Sequence, residues 1–142
     1  MPGFEELQRI CLRLLNNADL DVSFDTKTGD ILLNFTWGPF GEQVEFRCGR
    51  FHSLKFTKDP GDIECFFVGE TTVRVFVRPK DIRRMMASEG WKWNEKLLPS
   101  QLYLVNVQGG VEITLLCVNF TWNHIRCDVQ QPGPPNSPNT TT

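Results

Sequence analysis

The chain contains only two histidines, His52 and His124, and histidine is the one side chain that ionises near neutral pH without help from its surroundings. An imidazole becomes a general base, or activates a nucleophile, when a thiol, hydroxyl or carboxylate lies within hydrogen-bonding reach. Cys48 or Cys65 would offer His52 a thiol if these residues lay on neighbouring strands, but no spacing in the chain requires that pairing. We therefore predict that both histidines are satisfied or exposed, and the sequence indicates no catalytic residue.

Carboxylates offer a second possible chemistry, because several of them surround one turn and the strand after it: Asp59, Asp62, Glu64 and Glu70. Carboxylates that lie close together can bind a cation or act as an acid-base pair. A hairpin end in contact with water contains the same residue types, and we prefer this interpretation. The chain has no glycine-rich phosphate loop, no Gly-x-Ser-x-Gly and no Cys-x-x-Cys, so the sequence predicts neither a cofactor nor a metal.

Charge is distributed unevenly along the chain, and this is the most informative feature for function. Residues 1–73 contain 7 basic and 12 acidic side chains, whereas residues 74–96 contain 7 basic and 3 acidic ones. The basic side chains of this segment are interleaved with two tryptophans: Arg74, Arg78, Lys80, Arg83, Arg84, Trp91, Lys92, Trp93 and Lys96. Arginine beside tryptophan is typical of protein interfaces and of surfaces that stack on single-stranded bases. The alternative is a helix solvated by its Lys and Arg side chains, with one tryptophan covering the core.

Composition limits the class of protein. The 142 residues, 40% of them hydrophobic and 23% charged, suit one domain with its own core. No apolar run approaches the roughly 20 residues of a membrane helix, and the acidic start of the chain is unlike a signal peptide. Five cysteines without a pairing pattern predict buried thiols in a reducing compartment, so we expect a cytoplasmic protein with no membrane contact.

The segment Gln43–Arg78 predicts up to four consecutive strands, around which the rest of the chain is organised. Polar and apolar residues alternate from Gln43 to Cys48, and Gly49-Arg50 then predicts either a bulge or a turn. A hairpin turn is expected at 58–61 and a central strand at 63–68, and Gly69-Glu70 is expected to separate it from a strand at 72–78.

The flanking segments predict two helices and two hairpins. Apolar residues recur with helical spacing over Phe4–Ala18, and Pro79 suits the first turn of a helix that runs to about Glu89. Turns at 25–30 and 108–110 predict hairpins that join 20–24 to 31–37 and 102–107 to 111–122. The sequences Leu33-Asn34-Phe35-Thr36-Trp37 and Val118-Asn119-Phe120-Thr121-Trp122 echo each other, through duplication or through a shared need for an aromatic residue.

These patterns together predict one α+β domain over 1–129 and a disordered Pro/Asn/Thr-rich tail over 130–142. The sheet is expected to be curved and mainly antiparallel with about 7–8 strands, and the sequence does not decide whether it closes as a barrel. The preferred function is a non-enzymatic inhibitor, immunity-type or adaptor protein that binds an acidic protein partner through Arg78, Arg83, Arg84, Trp91, Lys92, Trp93 and Lys96.

Two other functions stay open. One is a small-molecule-binding or hydrolytic protein with a cavity in the curved sheet, its mouth formed by His52, Glu64, Cys65 and Glu70. The other is binding of single-stranded nucleic acid, which the net charge of −2 disfavours. The sequence predicts no oligomeric state.

Overall fold

The computed structural model describes residues 3–13, 15–39, 41–58, 68–88 and 98–125, and of His52 it describes the backbone alone. These residues form two helices and six strands, which confirms the α+β class. In chain order the elements are α1 (Phe4–Arg13), β1 (Asp19–Asp25), β2 (Asp30–Trp37), β3 (Glu42–Lys58), β4 (Val68–Phe76), α2 (Pro79–Ser88), β5 (Leu102–Gly109) and β6 (Val111–Ile125).

The six described strands form one antiparallel sheet in the order β1-β2-β3-β6-β5-β4. The first three strands form one meander, and β3 then pairs with β6 from the far end of the chain. Among the described strands β1 and β4 are the two edges, so the sheet is open and does not close as a barrel. The predicted hairpins at 25–30 and 108–110 are confirmed, whereas the turn at 58–61 lies mostly outside the described residues.

The longest strand, β3, continues through Gly49-Arg50 without a turn, and its bulge lies just beyond this pair. Its 17 residues continue through this pair, and the register against β6 shifts by one residue between Phe51 and Ser53. Arg50 has a φ of 49°, a left-handed conformation that breaks the alternation of the strand without ending it. Two of the predicted strands are therefore one bent strand.

The pair Gly69-Glu70 likewise lies inside a strand, so the predicted break there is wrong. β4 runs from Val68 to Phe76, and its register against β5 is irregular only between Val68 and Glu70. A glycine can accommodate an irregular ladder that still keeps most of its hydrogen bonds. The strand expected at 63–68 lies outside the described residues except for Val68.

The two helices pack on opposite faces of the sheet. Alternate side chains of β5 and β6 point to these two faces and therefore belong to different cores. The larger core contains Leu7 and Ile10 of α1 together with Leu115 of β6. The smaller core joins Ile82 and Met86 of α2 to a few residues on the other face: Leu102, Leu116 and Val118. The apolar spacing of both helices thus marks the faces that pack on the sheet.

The first helix is shorter than its apolar pattern predicts. It ends at Arg13, and Asn17 has a φ of 72°. The Asn17 N–H donates to the carbonyl of Val68 at 2.8 Å, and the Val68 N–H donates to the carbonyl of Ala18 at 3.0 Å. A longer helix would prevent these hydrogen bonds to the start of β4, so tertiary pairing overrides helix propensity here.

The sequence echo has a packing explanation. Phe35 on β2 and Phe120 on β6 lie on either side of β3, with ring centroids 5.0 and 5.1 Å from that of Phe46. β2 and β6 are each the second strand of a hairpin, and both pair antiparallel with β3. Each therefore places an aromatic residue against Phe46, which is one of the two explanations offered for the echo, and duplication stays a hypothesis.

Candidate functional site

The predicted partner-binding residues divide between described and undescribed parts of the chain. Arg78, Arg83 and Arg84 are described: Arg78 immediately precedes α2, and the other two lie in the middle of that helix. Trp91, Lys92, Trp93 and Lys96 lie outside the described residues.

We call the region formed by Arg74, Phe76, Arg78, Arg83 and Arg84 the β4–α2 surface. β4 ends at Phe76 and α2 begins at Pro79, whose fixed φ suits the first helical turn. The first turn of α2 is closed by a hydrogen bond of 3.0 Å, which the N–H of Ile82 donates to the carbonyl of Arg78.

Packing of α2 determines which of its side chains contact water. Ile82 and Met86 are four residues apart and are 0% and 3% exposed, so this face of the helix lies on the sheet. Arg84 projects from another side, and 70% of its side-chain surface is exposed. The helix thus presents basic side chains at the surface while two apolar ones hold it in place.

A shallow cleft of about 280 Å³ separates α2 from the end of β4. On the strand side, the guanidinium carbon of Arg74 lies 5.1 Å from the centre of the Phe76 ring, a cation–π contact. On the helix side, Arg84 lies 4.0 Å from a carboxylate oxygen of Asp81. Within residues 74–88 Asp81 is the single carboxylate beside five Lys and Arg side chains, so the surface is strongly basic.

An exposed apolar residue adjoins these arginines. Val77, which lies between β4 and α2, is 62% exposed, whereas the exposed Val75 pairs with Tyr103 and therefore lies on the α1 face of the sheet. An apolar contact area bordered by arginines is typical of protein interfaces, where arginine is enriched and lysine is depleted.

The residues predicted for the alternative pocket are not brought together by the described strands. His52 lies on β3 and the exposed Glu70 lies on β4, and both β6 and β5 lie between these two strands. Glu64 and Cys65 lie outside the described residues, as does the side chain of His52. Glu70 instead contributes to a groove between β4 and α1.

Sequence reasoning missed the surroundings of His124. Its Nε2 lies 3.4 Å from a carboxylate oxygen of Glu42, and its ring centroid lies 5.9 Å from that of Trp37. These three residues come from β6, β3 and β2, and 82 residues separate Glu42 from His124. No local signal in the sequence could have linked them, because the contact depends on the pairing of β3 with β6.

The described cysteines are free, buried thiols, as predicted: Cys11, Cys48 and Cys117. Burial raises the pKa of Cys11 to about 12. The pKa of Cys48 is raised by its hydrogen bond with Cys117 and by burial. Both groups therefore stay protonated at neutral pH and lack the thiolate needed for nucleophilic attack.

Within the described residues, no three His, Cys, Asp or Glu side chains are grouped so that they could hold a metal ion. The described helices also include none that is long and apolar enough to cross a bilayer. No protein-family model matches the chain, and no curated protein matches it. The functional proposal therefore depends on the chemistry of the β4–α2 surface.

Proposed function

We propose that this chain is a non-enzymatic, intracellular protein-binding module that acts as an inhibitor, an immunity-type protein or an adaptor. Its partner presents an acidic surface to the β4–α2 surface. The proposal is supported by the combination of five basic side chains, one carboxylate and the exposed Val77 within one stretch of 15 residues, 74–88.

Electrostatics and apolar contact have different roles in this interface. Arg78 and Arg84 attract an acidic partner over distances of about 8–10 Å at physiological salt and orient it as it approaches. Val77 supplies apolar area that loses water when the partner docks. Trp91 and Trp93 are proposed to extend this contact, since large aromatic side chains dominate the energetics of interfaces.

An intracellular location fits the described cysteines. Cys48 and Cys117 are hydrogen-bonded to each other and remain free thiols. Proteins of oxidising compartments generally convert close cysteines into disulfides, whereas the cytoplasm keeps them reduced.

The test compares two pairs of charge reversals that change the net charge equally. Arg78→Glu with Arg84→Glu alters the β4–α2 surface, and Arg9→Glu with Arg13→Glu alters exposed positions of α1 as a matched control. Each tagged protein is incubated with extract of the source cells, and the proteins retained are identified and purified. Circular dichroism confirms that every variant is folded.

We expect at least one acidic protein to bind both wild type and the α1 control. The purified acidic protein should bind the β4–α2 variant at least about tenfold more weakly, because two charge pairs are lost. Trp91→Ala with Trp93→Ala should weaken the same complex. Equal binding by all variants would contradict the proposal. If a 20-nucleotide single strand binds instead, with steep salt dependence that Arg78→Glu and Arg84→Glu abolish, the surface serves nucleic acid.

A further inference from the structure

The two edges of the described sheet differ in how their backbones are paired. Along β4, the Nε2 of Gln8 donates to the carbonyl of Val73 at 2.7 Å, and Val68 hydrogen-bonds to the backbones of Asn17 and Ala18. The N-terminal part of the chain thus pairs with polar backbone groups of that edge. Among the described strands, β1 pairs with β2 alone.

The shape of β1 suits the addition of a further strand. Its seven residues, Asp19–Asp25, keep one register against β2 without a bulge, and they include no proline. In an antiparallel ladder alternate residues exchange hydrogen bonds with one neighbour, so every second residue of β1 directs its N–H and C=O away from β2. Natural sheet edges are often closed by a proline or a bulge, and β1 contains neither. It presents about 20 Å of regular strand edge.

The charge of β1 determines which kind of strand could pair with it. Three of its seven residues are aspartates, and none is Lys or Arg. Asp25 lies 3.6 Å from Nη1 of Arg47, whereas the exposed Asp19 and Asp21 make no ion pair within the described residues. Opposite charges on paired strands stabilise a sheet and like charges destabilise it. The edge therefore repels a second copy of β1 and favours a strand that carries Lys or Arg.

The other face of β1 adds an apolar contact. Phe24 pairs with Ile31 of the larger core, yet 57% of its surface is exposed. Successive side chains of a strand point to opposite faces, so Phe24 and the three aspartates lie on different faces of β1. Charges at an edge can serve only to prevent aggregation, but an exposed aromatic ring at the same edge works against that role. The two faces together match a strand in which basic and apolar residues alternate.

We propose that β1 binds an extended basic segment of a protein partner, which adds to the sheet as an antiparallel strand. Backbone hydrogen bonds supply the affinity, and Lys or Arg side chains opposite Asp19 and Asp21 supply the specificity. Apolar side chains at the alternate positions of the segment contact Phe24. β1 and β4 are at opposite ends of the strand order, so this site is independent of the β4–α2 surface and of its acidic partner.

The test uses three capped eight-residue peptides: one alternates Lys with Val, one alternates Glu with Val, and one has four Lys followed by four Val. Each is titrated into the full ¹⁵N-labelled chain at pH 7 and low salt, and backbone amides are followed by NMR. The alternating Lys/Val peptide should bind with a Kd below about 1 mM and at least about tenfold more tightly than the other two. Hydrogen exchange at alternate amides of β1 should slow at least about tenfold, because strand addition pairs the N–H groups that point away from β2.

Variants locate the interaction. Asp19→Asn with Asp21→Asn keeps the size of both side chains and should weaken binding of the alternating Lys/Val peptide at least about fivefold, because two charge pairs are lost. The matched control, Glu70→Gln with Glu112→Gln, removes two exposed carboxylates from other strands and should leave binding unchanged. Circular dichroism confirms that both variants are folded.

Three results would overturn the proposal. The first is that the alternating Lys/Val peptide does not bind wild type. The second is that the peptide with four Lys followed by four Val binds equally well, since charge alone would then attract it. The third is that saturating peptide leaves hydrogen exchange in β1 unchanged. None of these results depends on the β4–α2 variants.

Discussion

Gly49→Ala is predicted to destabilise the protein, because the part of β3 just before its bulge leaves little room for a methyl group. A Cβ at this position would lie 2.8 Å from Oδ1 of Asp30 and 3.5 Å from Cβ of Asn119. The second distance is ordinary contact, so Asp30 alone causes the clash. Asp30 is not free to move away, since its Oδ2 accepts a hydrogen bond of 2.8 Å from Nη1 of Arg47.

To restore an ordinary contact, Oδ1 of Asp30 must move from 2.8 Å to about 3.4 Å, a shift of about 0.6 Å that strains its hydrogen bond with Arg47. Overpacking of this kind costs about 1–3 kcal/mol. For a domain of this size the midpoint of thermal unfolding should fall by about 2–12 °C.

Urea denaturation of wild type and Gly49→Ala measures the free energy of unfolding, with a common slope as the check that both unfold in the same way. The matched background is Asp30→Ala, which removes the clashing carboxylate. There Gly49→Ala should be neutral or stabilise by up to about 1 kcal/mol, because alanine is favoured over glycine within a strand. A similar loss in both backgrounds, or no loss in wild type, would show that Asp30 is not the obstacle.

Three further predictions concern the core, the bulge and a buried thiol. Phe46→Ala removes a fully buried ring that lies between two other rings. Urea denaturation should show that the free energy of unfolding falls by about 3–5 kcal/mol. A loss below about 1 kcal/mol would contradict this packing. Arg50 has a φ of 49°, so the substitution Arg50→Gly should be tolerated. By the same measurement, the Arg50→Val variant should be about 1–2 kcal/mol less stable than the Arg50→Gly variant. Equal stability of the two variants would argue against the left-handed conformation. Burial raises the pKa of Cys11 from 9.0 to about 12, so its stabilising contribution is complete below pH 9 and declines as the pH rises toward 12. The free energy of unfolding, measured from pH 8 to 11, should therefore depend less steeply on pH in Cys11→Ala than in wild type. Parallel profiles for the two proteins would refute this prediction.

Local patterns predicted those parts of the fold whose contacts are close in sequence. The turn at Asp25 is an example, because the Asp25 carboxylate accepts hydrogen bonds from the N–H groups of Lys27 and Thr28, at 3.1 and 3.4 Å. These bonds lower the pKa of Asp25. Residues that stabilise their own turn in this way can be recognised from sequence alone.

The candidate surface was predictable in part for the same reason. Arg78, Arg83 and Arg84 are close neighbours in the chain, and Pro79 marks the start of their helix. Their relation to Arg74 and Phe76 was not predictable, since it depends on how α2 folds back against the end of β4. The groove lined by Glu70 was missed entirely, because its other wall is α1, some 60 residues earlier in the chain.

Local sequence patterns predicted the class of fold, both hairpins, the start of α2 and the basic character of residues 74–88. Each of these depends on propensity or spacing within a few residues. Long-range contacts determined that β3 pairs with β6, that β3 continues through Gly49-Arg50 and bulges between Phe51 and Ser53, and that α1 stops at Arg13, where Asn17 can pair with Val68. In these cases the partner group lies tens of residues away, and the hydrogen bonds and packing that it supplies outweigh the local preference of the chain.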